Sequence, residues 1–405
     1  MRASRRDFVL GGLSGCALCA LGPAASARVL PTDLTRVVSM GYRPTDADER
    51  GLWQACDRLE QELAASRLLL NDAALKNYIR GVVERLLGEQ AGDLRIYPMR
   101  NPEFNAAMTP NGVMIVHTGL LVRMRNEAQL AAVLGHESGH YLRRHSLQSW
   151  RNLKSKTAGM SFLTILGGAT MGPAGYGLAS GINASLALSL FSFSRELESE
   201  ADAFGLQLLA GAGYPPEATA QIWSQLISER KASASERNKR YRDKSLSALS
   251  THPPTEDRMH DLTDTAAALA QLSPGAHYDT RRNEWLAAVA PIQPLLLDEQ
   301  IKLNDPGASL YLLNSLAQDG WDGTLRYYEG EAYRLRGGSG DEARAAQAYA
   351  AAVSSASAPP EAFRAHGYAL LRDGKGEEGR RALARYLELA PQAADAEMVR
   401  FSLKQ

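Results

Sequence analysis

Two histidines four residues apart stand in the segment His136-Glu137-Ser138-Gly139-His140. On an α-helix that spacing puts both imidazoles on one face, where they can address a single metal ion, and turns Glu137 toward a water held by that ion. Two neutral nitrogen ligands beside a carboxylate that takes a proton from a nucleophilic water are the working parts of a zinc hydrolase. Taken alone, the same residues also fit a helix surface with two histidines and a solvated acid. A second segment, Glu198-Ser199-Glu200-Ala201-Asp202, shifts that balance. Glu198 and Asp202 share a helix face, so one can ligate the ion while the other holds a ligand histidine through its outer nitrogen. Two histidines and a glutamate leave the fourth zinc position open for water or a peptide carbonyl. Spacing alone does not choose Glu198 over Glu196 or Glu200. His145, five residues after His140, lacks the His-x-x-Gly-x-x-His spacing of metzincins and reads as a helix-end residue.

The elements that position these groups follow from periodicity. Residues 45–90 read as helical, with Leu52, Cys56, Leu59 and Leu63 in one run and Leu75, Ile79, Val82, Val83 and Leu86 in a second that Asn71 can cap. Leu94, Ile96 and Pro98 suggest a short strand, the proline favouring an end or an edge. Asn111-Gly112 is a turn before the extended run Val113, Met114, Ile115 and Val116. From Asn126 to Arg144 the pattern is helical and carries the paired histidines. Helix, strand and helix around a small sheet predict an α+β domain. Arg195–Leu209 reads as a polar helix, and another can start after Pro215-Pro216 with Ile222, Trp223, Leu226 and Ile227 on it. The charged stretch 229–244 reads as solvated.

Residues 158–194 contain no charged side chain, but repeated glycines interrupt them. The expectation is an apolar lid or a membrane-contacting insert rather than a span. From residue 273 the chain is rich in alanine and leucine, and two stretches are related: Gly330-Glu331-Ala332-Tyr333 and Gly367-Tyr368-Ala369-Leu370, each followed by a small-residue helix. In the second copy Phe363, Gly367, Leu383 and Pro391 stand near tetratricopeptide positions, which predicts stacked helix pairs over 273–405.

Residues 1–27 read as an export signal: Arg2, Arg5 and Arg6, then an uncharged stretch, then Ala25-Ser26-Ala27. Ser4-Arg5-Arg6-Asp7-Phe8 looks like a twin-arginine signal. Leu13-Ser14-Gly15-Cys16 offers a second processing site, a lipobox. Cleavage after Ala27 would leave Cys56 as the one cysteine, with no internal disulfide. The 45 basic residues balance 45 acidic ones, which with the lack of a recognition motif argues against a nucleic-acid partner.

Residues 45–260 resemble the M48 family of metallopeptidases, gluzincin-type enzymes related to prenyl-protein CAAX peptidases. The whole chain resembles the family's periplasmic branch, which joins a mainly helical peptidase domain with a small sheet to a tetratricopeptide region. The resemblance implies a peptidase domain over 28–272, one zinc ion held by His136, His140 and Glu198, and Glu137 as general base. Glu198 is chosen because it stands four positions before the matching Asp202, the residue behind the ligands; Ser194-Arg195 matches the lead-in. Asn105-Ala106, Pro110 and Gly112 match the approach to an edge strand, which assigns Val113–Val116 to pairing with substrate; Thr118-Gly119-Leu120-Leu121 matches the approach to the active-site helix. Thr251-His252-Pro253 and Arg258 match the downstream signature, so His252 is expected to stabilise the intermediate or cap the metal, and Arg258 to support the carboxylates or the intermediate. Met108-Thr109-Pro110-Asn111 departs from the glycine-rich stretch of relatives beside the expected substrate groove. The implied function is cleavage of misfolded or stalled outer-membrane polypeptides in the periplasm. Contact with an outer-membrane assembly machine would run through the repeats, and contact with the membrane surface through the insert. The competing class is a chaperone or adaptor with a structural zinc site.

Overall fold

The computed structural model describes residues 37–156, 193–241, 256–272 and 275–403. The signal segment 1–27, His252 and all but the last two residues of the insert 158–194 lie outside them. The first helices are α1 (Ala47–Ala65) and α2 (Ala73–Leu87). Asp72 rather than Asn71 caps α2, accepting from Leu75 N at 2.9 Å. A three-stranded sheet follows: β1 (Arg95–Met99), β2 (Ala106–Met108) and β3 (Val113–His117). Gly112 has φ of +91° and a Cβ there would lie 2.7 Å from Asp93 O, so the turn before β3 requires glycine.

The strand order is β1-β3-β2, with β1 parallel and β2 antiparallel to β3. This corrects the expectation for Val113, Met114, Ile115 and Val116. They form the central strand, and its backbone pairs with Arg95–Met99 on one side and Ala106–Met108 on the other. A substrate strand cannot add there, because the ladder groups on both sides are already used. Pro98 sits in β1, an edge strand, where a missing donor is tolerated.

One helical turn, α3 (Thr118–Leu121), leads to α4 (Glu127–Leu142). Asn126 caps α4 by accepting from Gln129 N at 2.9 Å, and buried Glu127 in its first turn accepts from Arg85 Nη1 at 2.7 Å and from the Tyr78 and Tyr214 hydroxyls. Every residue of α4 except Tyr141 is buried, as in a helix surrounded by its own core. Then come α5 (His145–Lys156), α6 (Arg195–Gly211), α7 (Ala218–Glu236) and α8 (Glu256–Leu272). No helix among the described residues is long and apolar enough to cross a membrane.

The C-terminal region is helical: α9 (Arg282–Val289), α10 (Gln293–Lys302), α11 (Pro306–Leu316), α12 (Gly323–Arg336), α13 (Asp341–Val353), α14 (Pro360–Arg372), α15 (Gly376–Leu389) and α16 (Ala396–Ser402). The related tetrapeptides fall on α12 and α14, each closing onto the next helix. A Cβ at Gly330 would lie 2.3 Å from the Tyr349 ring, and one at Gly367 2.8 Å from Leu383. Small residues at these crossings let the pairs approach. The apolar core that contains Leu130 and Leu206 continues through Trp285, Leu312 and Tyr328 to Ala369. Polar bonds join the same regions: Glu299 accepts from Arg100 Nε and Thr118 Oγ1, each at 2.7 Å, and Gln300 accepts from Arg123 Nη2 at 3.0 Å.

Candidate metal centre

Helices α4 and α6 meet along a seam without side chains of any size. A Cβ on Gly139 would lie 3.1 Å from Ala201 O, and one on Gly205 would lie 3.0 Å from His136 N. Gly135 faces Gly205 in the same seam. The close approach carries Glu198, one turn before Ala201, to the two histidines.

His136 and His140 are 4% and 1% exposed, and their Nε2 atoms stand 3.1 Å apart. Glu198 Oε1 lies 3.5 Å from His140 Nε2, and Oε2 lies 3.6 Å from His136 Nε2. Ligands at about 2.0–2.2 Å around a tetrahedral ion lie about 3.3–3.6 Å from one another, so this donor set fits zinc in size and chemistry. Among the described residues, His136, His140 and Glu198 are the group of ionisable ligands close enough to share an ion. Glu137, 2% exposed, lines an open cavity of about 340 Å³ together with His136 and Asp202.

The outer nitrogens of both histidines are held. His136 Nδ1 lies 2.9 Å from Asp202 Oδ1; a carboxylate only accepts, so Nδ1 carries the proton and Nε2 keeps a lone pair. Arg258 grips the same carboxylate at both ends, Nε to Oδ2 at 2.8 Å and Nη2 to Oδ1 at 2.7 Å. Its Nη1 lies 3.0 Å from Glu198 Oε2. Burial pushes the Asp202 carboxyl up, but the Arg258 charge and the His136 bond outweigh it and lower its pKa to about 2. Arg258 therefore lies within the carboxylate network, with its guanidinium 4.5 Å above the Trp223 ring.

His140 is held differently. Its Nδ1 stands 2.9 Å from Nδ1 of His145, whose Nε2 lies 3.3 Å from Glu200 Oε2. Burial lowers the His145 pKa to about 4, so the ring is neutral at ordinary pH. Its Nε2–H donates to the carboxylate, leaving Nδ1 to accept from His140 Nδ1–H. His140 Nε2 then keeps its lone pair toward the other donors. Phe193 stacks on the His140 ring at 3.9 Å with planes 16° apart. Sequence reasoning placed His145 at a helix end, where it does begin α5, but missed its contact with His140. Arg144 has φ of +57°, a left-handed turn that folds His145 back; a spacing of five carries no such information. Glu200, Phe193 and Trp223 were missed for the same reason, since their roles depend on how α5, α6 and α7 pack.

The structure thus brings His136, Glu137, His140, Glu198, Asp202 and Arg258 together, leaves Val113–Val116 in the sheet centre, and does not describe His252.

Residues 70–266 match the model of Peptidase family M48. The chain is 27% identical over 220 residues to the beta-barrel assembly-enhancing protease of Escherichia coli K12, a stretch that covers 53% of this chain and 43% of that protein. It is 29% identical over 214 residues to the protein of that name in Yersinia pestis, covering 51% of this chain and 42% of the relative. Similarity extends to the mitochondrial metalloendopeptidase OMA1 of Schizosaccharomyces pombe, 30% identical over 190 residues, 46% of this chain and 52% of that one. The chain spans about half the length of the relatives it matches. The family match covers the strands, the seam and every described member of the cluster, so the part of the chain that builds the site is similar to the peptidase domain of family M48.

Proposed function

We propose that this chain is a zinc-dependent endopeptidase of the cell envelope that cleaves misfolded or stalled polypeptides, outer-membrane proteins among them. The observation that carries the reading is the convergence of His136, His140 and Glu198 beside Glu137 at an open cavity. A zinc ion on these three residues would lower the pKa of a bound water and polarise the scissile carbonyl. Glu137 accepts the proton of the attacking water and returns it to the amide nitrogen as the C–N bond breaks. Asp202 and the His145–Glu200 pair keep the ligand imidazoles oriented with their Nε2 lone pairs inward. Arg258 holds Glu198 and Asp202 as carboxylates. His252, by the family pattern, completes the site as a stabiliser of the intermediate or as a cap.

An extended substrate would lie along β2, the edge strand nearest the cavity, with Asn105 and Ala106 in the cavity wall. Backbone pairing of this kind asks little of sequence, which suits unfolded clients. The names of the enterobacterial relatives support a place in barrel assembly. The division into a signal at 1–27, a peptidase domain over 28–272 and a tetratricopeptide-like region over 273–405 belongs to the same reading, as do the periplasmic address and docking to an assembly machine through the repeats. An adaptor with a structural zinc is less well supported, because such sites take four protein ligands and the described residues bring three together. The test is incubation of the zinc-loaded chain with an unfolded outer-membrane protein and with its folded form. Internal fragments from the unfolded form support the proposal; binding without cleavage moves the assignment to the adaptor.

A further inference from the structure

Arg144, which folds His145 back onto His140, keeps its φ of +57° although it is neither glycine nor a residue whose short side chain bonds locally. Such a backbone persists where its surroundings over-determine it. Those surroundings come from the chain ahead of the family match, which begins at residue 70. Val38 N donates to Leu142 O at 2.9 Å, the Arg144 guanidinium stands 4.0 Å from the centre of the Tyr42 ring, and α1 brings Glu49 to the same turn.

Glu49 is 2% exposed. Its carboxylate accepts from Arg144 Nη2 at 3.3 Å through both oxygens, from Arg151 Nη2 through Oε1, and from the Tyr42 hydroxyl through Oε2 at 2.5 Å. An ionised carboxylate can accept all of these at once. Arg144 immediately precedes His145 and Arg151 lies in the middle of α5, so one buried carboxylate fastens the turn and the helix that carry His145. The Arg151 side chain is 55% exposed and the Arg144 side chain 30%, so solvent screens the Arg151 pair more. Leu52 and Cys56 follow on the Glu49 face of α1 and are buried in one apolar cluster with Leu147 and Trp150 of α5. Phe193, which stacks on the His140 ring, packs against that cluster. The polar grip and the apolar face of α1 thus hold the same helix, and the ring packed with it, against His140.

We infer that Glu49 is a positioning residue of the metal centre, acting on His140 through Arg144 and His145, and that α1 belongs to the site although it precedes the family-matched residues. The inference rests on the reading of His136, His140 and Glu198 as zinc ligands. Glu49 fixes the turn, and the turn fixes where the His145 ring stands. His145 Nδ1 in turn accepts from His140 Nδ1–H and keeps His140 Nε2 aimed at the other two ligands. Loosening Glu49 therefore frees the ring behind a ligand without altering any ligand.

A double-mutant cycle on the full chain separates positioning from support of the fold. Zinc affinity is measured against a chromophoric chelator for wild type, Glu49→Gln, His145→Ala and the double variant, with thermal unfolding of each zinc-free protein alongside. Glu49→Gln should weaken zinc binding about tenfold, the low end of the range for loss of a ligand's partner. In the His145→Ala background the same change should cost less than about twofold, because the link it acts through is gone. A merely structural loss would lower affinity whether or not His145 is present. Should Glu49→Gln not fold, Arg144→Gln takes its place in the cycle, since it removes one end of the grip and leaves the carboxylate with Arg151 and Tyr42. Its loss should likewise disappear with His145→Ala. Equal losses in the two backgrounds, or no loss in either, overturn the inference and leave the metal reading intact. A wild type that binds no zinc removes the metal reading, and the inference falls with it.

Discussion

His145 Nδ1 stands 2.9 Å from Nδ1 of His140, and the two rings continue a chain that starts at the Glu200 carboxylate. The arrangement mirrors what Asp202 does for His136 on the other side of the cluster, with an imidazole interposed. A metal-facing nitrogen is only as well placed as the bond behind its ring. His145→Ala should therefore weaken zinc binding about 10- to 100-fold, the range for loss of such a partner. Competition against a chromophoric chelator measures this directly; unchanged affinity in a folded variant would mean that the contact with His140 is packing alone.

The seam between α4 and α6 makes a separate demand. Gly205→Ala places a methyl about 3.0 Å from His136 N, backbone that cannot swing aside. The helices must part, at a cost of about 1–3 kcal/mol. Glu198 moves away from the histidines with them. Thermal unfolding and zinc affinity should fall together, whereas a stable variant with full affinity would show that the seam does not set the ligand spacing.

Arg258 is the cation shared by Glu198 and Asp202 inside the protein. Arg258→Met leaves these carboxylates without it and should cost about 3–5 kcal/mol in the metal-free protein. Arg258→Lys should recover only part, because an ammonium cannot span both carboxylates as the planar guanidinium does. Chemical denaturation of the three proteins in the presence of chelator gives the comparison; equal midpoints would contradict the network.

Far from the site, Asp341 accepts from Arg336 Nη2 at 2.7 Å, Arg344 Nη1 at 2.9 Å and Gly338 N at 2.9 Å. The Arg336 bond above all holds its carboxyl well below the usual carboxylate range. A pKa depressed on folding adds stability that is complete above the unfolded value, near 3.9, and is lost as pH falls toward the folded one. Between about pH 4 and pH 2 the wild type should lose stability more steeply than Asp341→Asn, as followed by circular dichroism of thermal unfolding. Parallel pH curves would show that Asp341 does not titrate with folding.

What could be read from the sequence was local. The spacing of His136 and His140 and of Glu198 and Asp202 survives folding because a helix face is fixed by its own geometry, and Asn111-Gly112 turns the chain whatever surrounds it. The choice of Glu198 over Glu196 and Glu200 came from family resemblance, and the close approach across Gly139, Ala201 and Gly205 gives its physical reason. Strand order was not legible. β2 is only three residues long, and without it Val113–Val116 looks like an edge. His145 escaped because a left-handed Arg144, not a period, brings it back. The cavity wall escaped because Phe104, Trp223 and Leu303 lie 80 residues or more from one another in the chain.

The central claim is that Glu137 works as a base beside a metal held by His136, His140 and Glu198. Glu137→Gln removes the base and retains the three ligands, so the direct measurement is zinc content together with cleavage of denatured protein, for wild type and variant side by side. The account predicts one zinc per chain in both, and a rate in the variant lower by at least about 100-fold, within the 10²–10⁴ range of general-base catalysis. Equal cleavage rates at equal zinc occupancy would contradict it.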